Sequence, residues 1–220
     1  MKLRRTARER TKWLEFVDLG DAIGAEGCPI CTLVEKACHQ HLDRLFYEFV
    51  NDVGVRKRLA ASRGFCNWHA HMALRIPNTN SGIAIIYQDL LSHPDRLPAG
   101  PCPVCETARF NEQVFLGELL RWFEDAELQA KYGPSFGLCL PHLRQAQEAF
   151  SGHPNLPALL AAEHEKLNVL RAELQEFSRK LDYRFGNEAK GAEQTSWRRV
   201  IEKYVGKREI FNPTPKGIKS

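Results

Sequence analysis

Between Cys31 and Cys66 the apolar residues Leu33, Leu42, Leu45, Phe46 and Phe49 recur at helical spacing. Between Cys105 and Cys139, Phe110, Val114, Leu119, Leu120 and Phe123 do the same. Each stretch predicts a mainly helical segment. A second helical stretch then runs to a breaker, Pro77-Asn78 in the first case and Gly152-His153-Pro154 in the second, with a further helix after each. From Pro157 to Phe185, Leu160, Leu167, Leu170, Leu174, Phe177 and Leu181 recur at steps of seven, three and four and predict one long helix. Its stripe holds about two clean heptads, which favours packing inside the chain over a coiled coil but leaves a homo-oligomer through 157–185 as the alternative. Residues 186–195 are polar and read as a linker. Trp197, Val200, Ile201 and Tyr204 then predict a short amphipathic helix before Pro213-Thr214-Pro215. With no hairpin signal between alternating strands, the expected class is all-α.

The two stretches are copies of one unit. Gly27-Cys28-Pro29-Ile30-Cys31 returns as Pro101-Cys102-Pro103-Val104-Cys105, and Gly64-Phe65-Cys66-Asn67-Trp68-His69 returns as Gly137-Leu138-Cys139-Leu140-Pro141-His142. The offsets agree to within one residue. The repeat divides the chain into a basic segment 1–15, a first metal-binding repeat 16–98, a second with the long helix 99–186, and a linker, short helix and basic tail over 187–220.

The repeated residues carry the chemistry. Proline is accepted in the first turn of a helix, so each Cys-Pro-x-Cys opens the helix behind it, and Pro141 places Cys139, and by symmetry Cys66, at or near a helix N-cap. Gly64 and Gly137 supply the backbone angles for the sharp turn. Cys66 and His69, three apart, share a helix face, whereas His71 points elsewhere and its counterpart is Arg144. The predicted ligands are Cys28, Cys31, Cys66, His69, Cys102, Cys105, Cys139 and His142. Three thiolates and one imidazole around a divalent ion carry a net negative charge, which helix N-termini favour while they also lower the thiol pKa values. A closed Cys3His set fits structural zinc, two ions per chain. The simplest pairing joins Cys28 and Cys31 to Cys66 and His69; exchange between the copies is the other possibility. An iron–sulfur cluster and a redox-active dithiol are the alternative chemistries, since Cys-Pro-x-Cys at a helix start also suits thiol exchange.

Other residues are less informative. Cys38 and His41 have Glu112 and Phe115 as counterparts, so they read as a small apolar cysteine and a packing or surface histidine. His39, His93, His153 and His164 lack spaced partners. Trp68, Tyr87 and Trp122 read as core, and Glu163 with Glu165 as a solvated helix face. Neither a Gly-rich phosphate loop, a Gly-x-Ser-x-Gly elbow nor a His-Glu-x-x-His pair occurs, so no enzymatic reaction is indicated.

At 220 residues and 43% hydrophobic composition the chain can bury a core without disulfide staples. Lys and Arg outnumber Asp and Glu at both ends, six to one over residues 1–12 and eight to four over residues 187–220. Such ends can touch nucleic acid or an acidic partner, but more often are solvated tails. No apolar run reaches the roughly 20 residues that span a bilayer, and charges interrupt the region a signal peptide would need. The expected location is the cytoplasm, where seven cysteines point to metal or redox chemistry rather than to disulfides. On its four duplicated motifs the chain resembles an uncharacterised bacterial family, a domain of unknown function. That resemblance implies no activity.

Overall fold

The structure is a computed structural model and describes residues 18–95, 97–208 and 210–211. The predicted basic segment 1–15, most of the basic tail and Pro213-Thr214-Pro215 lie outside the described residues. Among the described residues the chain is all-helical, as the periodicity predicts. A helical segment over 18–24, α1, is followed by α2 (Pro29–Glu48), α3 (Val53–Ser62), α4 (Asn67–Ala73) and α5 (Asn80–Leu91). The second copy gives α6 (Pro103–Trp122), α7 (Ala126–Tyr132), α8 (Leu140–Ala149) and α9 (Leu156–Lys180). A 3-10 turn, Ala192–Thr195, then leads into α10 (Ser196–Val205). None of these helices is long and apolar enough to cross a membrane.

The repeat extends to details that carry no cysteine. Asp52 and Asp125 are the N-caps of α3 and α7, accepting from Val55 N and from the Glu127 and Leu128 backbone N–H groups respectively. Gly64 and Gly137, at φ 89° and 73°, turn the chain into α4 and α8.

The helices pack as two compact units, interleaved along the sequence. Of the described residues, one comprises 18–33 and 113–207, the other 34–95, 97–112, 208 and 210–211. In the first unit Ile23, Ile30, Leu116, Leu119, Leu120, Leu128, Leu138 and Leu159 are buried, with Phe123 edge-on to Tyr132 at 5.2 Å. The second buries Val34, Leu42, Leu59, Met72, Ile86 and Val104, with Phe46 edge-on to Phe65 at 5.9 Å.

The apolar stripes are buried only in part. Leu33, Leu42 and Leu45 are covered, whereas Phe49 lies past the end of α2, and Phe110 and Val114 face outward while Glu112 is buried. On α9 the covered positions are Leu156, Leu159, Glu163 and Leu170, and the helix stops at Lys180, short of the predicted Phe185. In α10 the amphipathic expectation inverts: Trp197, Ile201 and Tyr204 are exposed, while Ser196 and Lys203 are buried. The reason is an ion pair. Lys203 Nζ sits 2.7 Å from Glu163 Oε2, and the side chains are 2% and 0% exposed. Glu163 therefore belongs to the core, a correction to its reading as part of a solvated face.

Candidate metal centres

All eight predicted ligands gather into two quartets, each built from helix N-termini. Cys28 and Cys102 directly precede α2 and α6, and their carbonyls accept the first helical hydrogen bonds, from Thr32 N at 3.1 Å and Glu106 N at 3.3 Å. Cys66 and Cys139 are the N-caps of α4 and α8 in extended conformation, and their carbonyls accept from Ala70 N and Leu143 N. Every half-motif is thus an N-cap cysteine with its second candidate ligand three residues on. An N-cap side chain ordinarily accepts from the first-turn N–H groups. Cys66 and Cys139 make no such bond. Their sulfurs instead meet the other half of a quartet.

The pairing is the exchanged one. Cys28 and Cys31 lie with Cys139 and His142, and Cys102 and Cys105 lie with Cys66 and His69, the four candidate donor atoms of each group all within 4.8 Å of one another. The simpler pairing within a copy is corrected. Its physical obstacle is the stiffness of α2: 20 residues carry the chain about 30 Å at 1.5 Å per residue, and the ten residues of α3 make good about half of that on any return. Each compact unit contains one complete quartet.

The spacings suit one small ion per quartet. Cys31 Sγ and Cys139 Sγ are 3.8 Å apart, and Cys66 Sγ and Cys105 Sγ 3.6 Å. Both exceed the roughly 2.05 Å of a disulfide. His142 presents Nδ1 to Cys28, Cys31 and Cys139 at 3.4, 3.5 and 3.2 Å. His69 presents Nδ1 to Cys66, Cys102 and Cys105 at 3.2, 3.6 and 3.4 Å. A tetrahedral ion about 2.3 Å from sulfur and about 2.0–2.1 Å from nitrogen sets S···S near about 3.8 Å and S···N near about 3.5 Å. The donor set therefore fits.

The electrostatics point the same way. Mutual hydrogen bonding with Cys105 and Cys66 holds the Cys102 thiol far below its ordinary value, and the same contacts, from Cys102 and Cys66, push Cys105 up. In the other quartet burial pushes Cys28 up, but hydrogen bonds from Cys139, Cys31 and His142 overcome it and hold Cys28 low. Cys31 and Cys139 are pushed up, chiefly by hydrogen bonding to Cys139 and to Cys28 respectively. Burial acts to lower His69, yet hydrogen bonds with Cys102, Cys38 and Cys66 push it up to about 11. Thiols packed this closely cannot all ionise by themselves; a divalent cation bound among them would supply the countercharge that lets all three ligate.

Supporting groups escaped the sequence reading. The eighth residue of α5 is Tyr87 and the eighth of α9 is Glu163. Tyr87 hydrogen-bonds the Phe65 backbone, and Glu163 Oε1 accepts from Leu138 N at 2.8 Å. Equivalent positions of the two copies thus hold the residue just before each N-cap cysteine. Glu163 also accepts from the Tyr132 hydroxyl, and a Cβ on Gly137 would collide with Glu163 Oε1. Lys203 ties α10 into this cradle and donates to Phe136 O at 3.1 Å. Beyond the helix, Lys207 N donates to Cys31 Sγ at 3.4 Å. Cys38 is buried, as read, but hydrogen-bonds His69. The repeat offset carries Tyr87 onto Leu160 or Ala161, so only the position within each helix, and not the sequence repeat, makes Tyr87 and Glu163 equivalent.

The quartets differ in exposure. Cys28, Cys31, Cys139 and His142 are all buried, whereas Cys66 and Cys105 are partly exposed.

Comparison with other sequences adds a lineage without an activity. The profile of a family of unknown function, DUF6062, matches residues 96–210. That stretch holds Cys102, Cys105, Cys139 and His142, one half of each quartet. An uncharacterised 23.9 kDa protein from the xynA 3′ region of Caldicellulosiruptor sp. (strain Rt8B.4) is 26% identical over 171 residues, covering 71% of this chain and 83% of the relative. No solved structure matches the chain.

Proposed function

The chain belongs to the family of unknown function DUF6062, and on that footing we propose that it is a two-zinc protein whose ions cross-link helix starts in an interaction or regulatory module. The observation that carries this reading is the spacing of both Cys3His quartets, S···S 3.6–3.8 Å and Nδ1···S 3.2–3.6 Å. Three thiolates and an imidazole in a tetrahedral arrangement select zinc among common divalent ions, because soft donors disfavour magnesium, calcium and manganese. In iron–sulfur clusters the thiolates bind different irons bridged by sulfide, which spreads the ligand atoms wider than a single ion does. A set with all donors within 4.8 Å therefore speaks against a cluster. The four ligands fill a tetrahedron, so the zinc has no open position for substrate, and a structural role follows.

The test is elemental analysis of anaerobically purified protein together with a chelator titration followed by circular dichroism. Two zinc ions per chain and loss of cooperative unfolding on their removal are expected, since structural zinc contributes on the order of 10 kcal/mol to the fold that holds it. A fully folded, metal-free preparation contradicts the reading.

The part-exposed Cys66 and Cys105 favour a second reading, a thiol sensor that uses one site. A hydroperoxide takes two electrons from two of that quartet's thiolates, forms their disulfide, is reduced to water and alcohol with two protons, and releases the zinc.

A further inference from the structure

Within the second unit, α2, α3 and the start of α6 enclose an open cavity of about 500 Å³, apart from the metal quartet and unused by it. Its lining combines an apolar floor, including buried Leu45 and part-exposed Phe49, with Arg44, Arg58, His41 and Asn111. Side-chain bonding fixes what the polar residues can offer. The Thr107 hydroxyl donates to Pro103 O at 3.2 Å and lies 3.3 Å from His41 Nδ1. With its proton committed, that hydroxyl accepts from Nδ1–H, so His41 Nε2 retains a lone pair. Burial first, then the neighbouring Arg58 charge, lowers the His41 pKa and keeps the ring neutral. One N–H of Asn111 Nδ2 goes to Thr107 O at 2.8 Å, and Oδ1 remains as an acceptor.

The cations on the rim are underused. Among the described residues Arg58 is exposed and forms no ion pair. Arg44 has Glu48 at a loose 3.6 Å, with both side chains largely in solvent. Asp52, also on the rim, caps α3 by accepting from Val55 N at Oδ1, 2.8 Å, so the cap partly neutralises the one carboxylate in the lining with the two arginines.

We propose that this cavity binds a small organic carboxylate: its anionic end on the Arg44 and Arg58 guanidinium groups, its apolar body over Leu45 and Phe49, and a hydroxyl or amino donor toward His41 Nε2 and Asn111. Guanidinium forks match carboxylates in geometry and charge, and the volume lies in the range of small-molecule sites. The floor separates this chemistry from that of a bare inorganic anion, which gains nothing from Leu45 or Phe49.

The full zinc-loaded chain, titrated calorimetrically and by amide NMR with 4-hydroxybenzoate, octanoate and inorganic phosphate, tests the assignment. The expected result is saturable 4-hydroxybenzoate binding with shifts confined to residues 37–58 and 103–111. Affinity falls about tenfold or more in Arg58→Ala with an unchanged circular dichroism spectrum. Octanoate binds more weakly for want of a donor, and phosphate weakest. Absence of saturable binding by both carboxylates overturns the proposal. So does binding indifferent to both Arg44→Ala and Arg58→Ala, and so does phosphate binding as tightly as 4-hydroxybenzoate.

Discussion

Cys31 and Cys139 stand 108 residues apart in the chain and 3.8 Å apart at their sulfurs. The contact joins the first Cys-Pro-x-Cys to the second Gly-x-Cys-x-x-His. Each copy of the repeat thereby gives one half of its candidate ligands to each compact unit, and neither copy holds a complete quartet.

The exchanged pairing predicts which double variants agree. Cys28→Ser with Cys139→Ser strikes one quartet twice and should leave one zinc per chain. Cys28→Ser with Cys66→Ser strikes both and should leave none. Zinc stoichiometry of the purified variants decides, and the reverse pattern restores the pairing within a copy.

The buried ion pair predicts a costly single change. Lys203→Met leaves the Glu163 carboxylate uncompensated in a site 0% exposed, and should cost about 3–5 kcal/mol in chemical denaturation. The same variant should loosen α10 and the Lys207 N–H bond to Cys31, so zinc leaves the Cys28 quartet faster while the Cys66 quartet is unaffected. Equal release from both quartets contradicts the link.

Tyr132 predicts an alkaline limit. Burial, then the Glu163 charge, raises its pKa well above the ordinary 10. A raised folded-state pKa means the contribution is fully present below the unfolded value and is lost as pH climbs from about 10 through the folded one. Wild type should therefore lose stability above about pH 10 more steeply than Tyr132→Phe. That variant should also cost about 1–3 kcal/mol at neutral pH, because the hydroxyl donates to a carboxylate. Superimposable alkaline profiles would rule this out.

Exposure orders the reactivity of the two centres. Under dilute peroxide, zinc held by Cys66, His69, Cys102 and Cys105 should be released first, with a disulfide mapped among its three cysteines. The fully buried quartet should retain its ion several-fold longer. A chromogenic zinc assay with peptide mapping reads both, and simultaneous release removes the basis for a sensor.

Helix content, the two-copy layout and the eight cysteine and histidine positions that gather into two quartets were legible in the sequence because they rest on local physics. Apolar periodicity, proline in a first turn, glycine at positive φ and a three-residue spacing on one helix face all act within a few residues. Which half-motif meets which, the turning of Trp197 and Ile201 outward, and the burial of Glu163 and Lys203 were decided only by the tertiary structure. The two half-motif pairings are equivalent in composition, so only the path taken by a stiff 20-residue helix distinguishes them. A charged side chain enters a core only when its counterion arrives from another element, here 40 residues along the chain.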